Sequence, residues 1–234
     1  MSYAAKPARS RAVGAPVAPR SPLGWIPNSL RRGLSGLLGQ WPRPAVKGRP
    51  VALRDGSRVL IRQVQPTDAP LLADGFTRLS PQSRRMRFLA RKDQLSAAEL
   101  RYFTDVDHHN HEALGALDQT DGRGVGVARY IRDADDPHAA EIAVTIVDDW
   151  HGRGLGTELL TQLSRRARAE GIHRFTALVA ADNQAIAGLL RKMCACVVDR
   201  SPGTVEYEIT LIPTEKSMTA AAAGICQDRV QMPC

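Results

Sequence analysis

Acidic residues are missing from the first fifty positions, which carry nine basic ones: Lys6, Arg9, Arg11, Arg20, Arg31, Arg32, Arg43, Lys47 and Arg49. The chain's net charge of +8 is therefore local, because residues 51–234 hold 23 basic and 24 acidic side chains, a net of −1. A nearly neutral globular part excludes the broad basic surface that a nucleic-acid-binding domain needs. Long apolar runs are missing too. No stretch reaches the roughly 18 residues of a membrane span, nor the unbroken core of an export signal. The expectation is a soluble, cytoplasmic protein without a transmembrane segment. All four cysteines (Cys194, Cys196, Cys226 and Cys234) lie at the C-terminal end. Without an export signal they do not make a disulfide framework, and Cys194-Ala195-Cys196 lacks the second Cys pair of a zinc site. Free thiols packed among apolar groups are expected instead.

Residues 1–50 are rich in Pro, Ala, Gly, Ser and Arg. Such a segment buries too little apolar surface to offset its chain entropy and is expected to be a disordered arm. Within it Leu30, Leu34, Leu37, Leu38 and Trp41 have roughly helical spacing, interrupted by glycines. A linker and a helix that docks on a partner or an anionic surface both fit this pattern. Residues 213–234 are expected to be a flexible tail.

Between these ends the periodicity is informative. Arg58–Val64 alternates as a strand after the Asp55-Gly56 turn. Thr67 is placed to cap a helix over about 68–79, Ser80-Pro81 opens a second helix ending at Phe88, and Ser96 with Glu99 forms a capping box for a third. Glu112–Leu117, Val125–Arg132 and Glu141–Val147 read as strands joined by turns. From Leu155 the period is helical, with Leu159, Leu160, Leu163 and Ala167 on one face and Gly171 as the stop. Strand Phe175–Ala180, helix Asn183–Met193 and strand Val205–Leu211 follow, with room for a short strand near Val197-Val198.

The chemistry concentrates at His151-Gly152-Arg153-Gly154-Leu155-Gly156-Thr157, which opens a helix after a strand. The first turn of a helix leaves backbone N–H groups unpaired, and its dipole favours negative charge. Glycines let a phosphate approach those groups, and Arg153 adds positive charge. No Gly-Lys-Ser/Thr closes the loop, which excludes a Walker site. The three preceding strands are joined by short turns, so the loop follows an antiparallel meander and not the first parallel unit of a dinucleotide fold.

Arg/Gln-x-x-Gly-x-Gly/Ala at the start of a helix is the pyrophosphate loop of the GNAT family of N-acetyltransferases. His151–Gly156 resembles it, with His in place of Gln or Arg, and Asn183 at the head of its helix resembles the family's Asn-led segment beside the CoA arm. The resemblance covers residues 51–212. Leu53-Arg54-Asp55-Gly56, Leu60-Ile61-Arg62, Leu79-Ser80-Pro81-Gln82-Ser83-Arg84, Arg87-Phe88 and Val127-Ala128-Arg129-Tyr130 are similar to the acyltransferase domain of bacterial Pat-type protein lysine acetyltransferases. In that group a cyclic-nucleotide-binding or acyl-CoA-synthetase domain often accompanies it, and neither is expected within these residues.

The resemblance implies an α+β fold with a mostly antiparallel mixed sheet of six to seven strands flanked by helices. It implies acetyl-CoA as co-substrate, no metal, and direct attack of an amine on the thioester. Only about one lysine in a few thousand is a free amine at pH 7, so a general base is needed. Ala140-Glu141-Ile142 matches the family position of that base, which makes Glu141 the candidate. Backbone N–H groups around Val144, Thr145 and Ile146 are implied to polarise the thioester carbonyl. Two departures stand out: no Tyr occupies the neighbourhood of Leu190, where many relatives carry a general acid, and Cys194-Ala195 replaces the usual Gly-Phe. The thiolate then leaves unassisted or is protonated by water. Protein lysine is the favoured acceptor; a small amine such as a polyamine or amino sugar, or a silent acyl-CoA-binding module, are the alternatives. The run Asp107-His108-His109-Asn110-His111-Glu112 reads as a polar strand entry in preference to a metal site. Arg84, Arg85, Arg87, Arg91 and Lys92 read as a solvated helix face.

Overall fold

The computed structural model describes residues 48–211. The arm, including the helical pattern at Leu30–Trp41, and the C-terminal tail lie outside the described residues, except that the first strand already includes Arg49 and Pro50.

Among the described residues the strands are β1 (Arg49–Ala52), β2 (Arg58–Gln63), β3 (His111–Asp118), β4 (Gly124–Arg132), β5 (Ala139–Ile146), β6 (Arg174–Ala180), β7 (Cys196–Ser201) and β8 (Thr204–Thr210). The helices are α1 (Ala69–Thr77), α2 (Pro81–Phe88), α3 (Ala97–Thr104), α4 (Leu155–Ala169) and α5 (Gln184–Lys192). The strands form one mixed sheet in the order β1-β2-β3-β4-β5-β6-β8-β7. Every junction is antiparallel except β5–β6. The α+β architecture is as expected, with eight strands in place of six to seven. The addition is an edge strand, β1, which pairs with β2 across the Asp55-Gly56 turn; the short strand expected near Val197-Val198 is β7, paired with β8.

Local chemistry explains most helix ends. Ser80 Oγ accepts from the Ser83 N–H at 3.1 Å, and Ser96 and Glu99 cap one another reciprocally. Thr67 is not a cap. It lies inside a 3-10 turn, Pro66–Asp68, that precedes α1. There Asp68 accepts from the Gln65 N–H at 2.8 Å and holds Arg62 in a bidentate pair.

On one face of the sheet lies α4, whose Leu155, Leu159, Leu160, Leu163 and Ala167 are all at most 1% exposed. Each fully buried leucine contributes about 1.5–3 kcal/mol, so this face anchors the whole loop ahead of α4. Helices α1 and α3 cover the other face, and α2 touches both β5 and β6. Directly opposed residues of paired strands share a face. The register Val127↔Thr145, Arg129↔Ala143 and Ile131↔Glu141 therefore sets Thr145, Arg129 and Glu141 on the side opposite α4.

Candidate active site

Strands β5 and β6 pair at only three positions, ending with Glu141↔Thr176, although β5 continues to Ile146 and β6 to Ala180. Beyond that point the sheet is split. The Val147 N–H bonds to the Val125 carbonyl at 3.0 Å. Alternate residues of an antiparallel strand turn their backbone groups to the same neighbour, so Thr145 and Val147 face β4, whereas Val144 and Ile146 turn their N–H groups into the split. Of the three residues implied by the family resemblance, two thus present donors and Thr145 does not.

The loop closes the upper end of the split. A 3-10 turn, Asp148–Trp150, buries Trp150 and sets Asp148 against the start of α2, where its carboxylate accepts from the Ser80 N–H. Burial works to raise the Asp148 pKa, but hydrogen bonds from Ser80 and Ser83 hold it below the ordinary carboxylate value. Gly152 and Gly154 have φ of 76° and 91°, a region unfavourable to any residue with a Cβ. Gly156 is needed for a different reason: a Cβ there would lie 3.0 Å from Leu189 of α5, so it permits helix packing. The first intrahelical bond runs from Glu158 N–H to the Gly154 carbonyl, which leaves the N–H groups of Leu155, Gly156 and Thr157 as donors at the helix start. Backbone donors in this arrangement can take an anion.

The loop's two basic side chains do not point at that site as the sequence suggested. His151 Nε2 donates to the Ile146 carbonyl at 2.9 Å and braces the loop on the open edge of β5. Arg153 stacks on Trp150 at 4.6 Å, donates to the Asp149 carbonyl and pairs with Asp55 at 3.1 Å. It is a strut between the loop and the β1–β2 turn. Arg54 is the cation that sequence reasoning missed: its side chain runs beside Gly154, and its N–H bonds to the Arg153 carbonyl. Its motif was visible, but nothing local shows that this turn folds onto the loop. Replacing Gly154 by Ala is expected to cost about 1–2 kcal/mol through the forced left-handed backbone. A thermal melt and a titration with CoA check it, with both stability and affinity reduced.

Glu141 sits where the split begins. It is half-buried and makes no hydrogen bond or ion pair with the described residues. Burial raises its pKa, Arg87 counteracts, and Glu206 and Asp133 add to the rise. Arg87 itself was assigned to a solvated face, and α2 contradicts this. Arg84 stacks on Phe76 at 4.6 Å, Arg85 pairs with Asp182 beyond β6, and Arg87 is half-buried near Glu141. Arg85 thus ties α2 to the loop after β6, and Arg87 sets it beside β5. Tyr102 of α3 also lies close enough for the Glu141 charge to raise its pKa, after burial.

Asn183 is a cap: its Oδ1 accepts from the Ile186 N–H at 3.2 Å, and the residue is buried. The run Asp107–Glu112 is spent on structure. Asp107 Oδ1 accepts from the N–H groups of His109, Asn110 and His111 at 2.8–2.9 Å. Glu112, fully buried, accepts from Arg166, Gln63 and the Ala113 N–H and meets His108. The expectation of free, buried thiols fails twice: Cys194 is free but exposed, with φ of 57° after α5, and Cys196 is disulfide-bonded. Leu190 is buried in the core, so no acid stands at that position. No helix among the described residues is long and apolar enough to cross a membrane.

Residues 58–193 match the family model of the acetyltransferase (GNAT) domain. An acetyltransferase, Pat, of Mycolicibacterium smegmatis is 30% identical over 166 residues, covering 71% of this chain and 50% of that protein. The chain thus spans about half the length of that relative. An acetyltransferase of Pseudomonas aeruginosa is 36% identical over 148 residues, 62% of this chain and 77% of that protein. Among solved structures, the GNAT domain of S. lividans PAT superposes with a TM-score of 0.67 at 28% identity, covering 72% of this chain and 99% of that one. A split beside a helix start with free donors is thus set in a chain whose sequence and fold agree: it belongs to the acetyltransferase (GNAT) family and is similar to the Pat-type acetyltransferases.

Proposed function

We propose that this chain moves an acetyl group from acetyl-CoA to a primary amine, with a protein lysine as acceptor and Glu141 as general base. The observation that carries this reading is a half-buried carboxylate, without hydrogen bond or ion pair among the described residues, at the last rung before the split on the face opposite α4. In this reading the CoA pyrophosphate takes the N–H groups of Leu155, Gly156 and Thr157, with Arg54 adding charge. The thioester lies along the open edge of β5. The amine nitrogen attacks the carbonyl carbon, and the charge that grows on oxygen is taken by the N–H groups of Val144 and Ile146. As the carbon–sulfur bond breaks, the proton leaving nitrogen passes to Glu141, directly or through a water. The thiolate is protonated by solvent, since Leu190 supplies no acid. A raised carboxylate pKa suits the task, because it narrows the gap to the ammonium proton it must accept.

The pH profile of kcat/KM with a lysine peptide tests this. Activity requires the carboxylate, so the rate is expected to rise through an acid limb set above the ordinary glutamate value of 4.5. That limb should vanish in Glu141→Gln. Its persistence in the variant would assign it to another group. Binding of acetyl-CoA with no CoA release across a panel of proteins and small amines would end the transferase reading.

A further inference from the structure

A pocket open to solvent lies on the face opposite α4, between α1, α2, α3 and the sheet. Its walls are largely apolar, with Phe76, Leu79, Phe88, Phe103 and Val127 among them. Thr145 also lines it, and the residues on either side of Thr145 are those whose N–H groups face the split.

Two guanidinium groups project into this apolar setting. Arg129, only 4% exposed, donates to the Phe103 carbonyl, meets His111 Nε2 at 3.2 Å and stacks on Phe103 at 4.5 Å. None of these partners is an anion, and His111 is kept neutral by burial and by Arg129, its pKa pushed down to about 4. Burial and then Arg87 pull Arg129 itself down to about 9. Arg87 stacks on Phe88 at 5.1 Å and makes no hydrogen bond or ion pair with the described residues. The third arginine of the pocket differs, since both terminal nitrogens of Arg62 are paired with the carboxylate of Asp68. Glu141 acts on Arg87 from a distance. Among the described residues that carboxylate acts on Arg87 and none acts on Arg129, so the two guanidinium groups keep a surplus positive charge. Uncompensated charge in an apolar cavity is costly to the fold, and functional sites are where such costs are retained.

We infer that Arg87 and Arg129 form a carboxylate-binding site in this pocket, for a ligand with a short apolar chain that ends in a carboxylate. The inference rests on the transferase reading. The carboxylate can arrive on the donor, as the end of an ω-carboxyacyl chain that passes Thr145 from the split. It can also arrive on the acceptor, as the carboxylate of a free amino acid that replaces protein lysine. In both cases the planar guanidinium forks suit a carboxylate better than a neutral end group.

Calorimetry on the full chain with glutaryl-CoA and pentanoyl-CoA, equal in chain length, tests the donor. Acetyl transfer to leucine and to leucinamide tests the acceptor. A preference for the carboxylate of about tenfold or more is expected in one arm, as charged hydrogen bonds allow. It should fall below about twofold in Arg87→Met, and the arm that responds identifies the source. Equal behaviour in both arms would overturn the inference. So would a preference that survives in both Arg87→Met and Arg129→Lys, the latter keeping the buried charge while losing the fork. If neither acyl-CoA binds, the transferase reading fails separately. Pentanoate against pentanamide, by the same calorimetry, then decides the pocket: tighter pentanoate binding that is lost in Arg87→Met supports it, and equal binding overturns it.

Discussion

Glu141→Gln is expected to lower kcat/KM for amine acetylation by about 10²–10⁴-fold at neutral pH, the range a positioned general base supplies. The substitution keeps length and shape but removes the proton acceptor. Because Glu141 has no hydrogen-bond partner to lose among the described residues, the backbone around it should stay as it is. Affinity for acetyl-CoA is expected to change less than about twofold, as the pyrophosphate and thioester contacts are assigned to backbone N–H groups elsewhere. Stability gives an independent sign. The folded-state pKa of Glu141 is raised, so the folded chain holds its proton longer than the unfolded chain does. Stability is then lost as pH rises from the unfolded value through the raised folded one. Above that window Glu141→Gln should melt at least as high as the parent, and below the unfolded value the two should converge. A variant that keeps its rate would remove Glu141 from the mechanism. One that melts lower at every pH would make it a structural residue.

The largest expected loss of stability is at Glu112→Ala, about 3–5 kcal/mol, as for removal of one partner from a buried ionic group. For a chain of this size that is a fall in Tm of about 6–20 °C. Glu112 is 0% exposed, and its two oxygens gather Arg166 of α4 at 2.8 Å, Gln63 of β2 at 3.0 Å, the Ala113 N–H and His108. Alanine strands the Gln63 amide and the Ala113 N–H without an acceptor and leaves a cavity between β3 and α4. Glu112→Gln should cost less, because one oxygen survives, but its NH₂ must then face a donor. A thermal melt showing less than about 1 kcal/mol for the alanine variant would mean that water replaces the carboxylate.

What could be read from the sequence was the part written locally. The Ser80 and Ser96–Glu99 caps, the Gly171 stop, the leucine face of α4 and the alternation of Val205, Tyr207 and Ile209 depend on neighbours within a few residues. The loop was legible for the same reason, since positive φ at Gly154 and free N–H groups at a helix start are local facts. The orientation of side chains was not. Arg153 is turned by Asp55, which the β1–β2 turn brings to it from a distance, and His151 by the Ile146 carbonyl five residues earlier, an orientation that periodicity does not reveal. Arg54, Arg87 and Arg129 gain their meaning only when α2 and the β1–β2 turn close over the sheet. Glu112 sat in a run that looks like a metal-binding string, and its partners Gln63 and Arg166 are 49 and 54 residues away. Edge strand β1 escaped because short, mostly exposed strands carry little periodicity, and its burial follows no alternation; β7 was placed only as a short strand near Val197-Val198 for the same reason.

The three-rung junction of β5 with β6 also divides the chain in time. Residues 49–146 supply one half of the sheet and 174–210 the other, each contiguous, so the backbone crosses between them once, by way of α4. Except at this junction, every junction is antiparallel, and most join strands near one another in sequence. Closing a short loop costs less entropy than closing a long one, and a parallel join must wait for its crossover. The two halves are thus suited to assemble separately, with α4 drawing them together last.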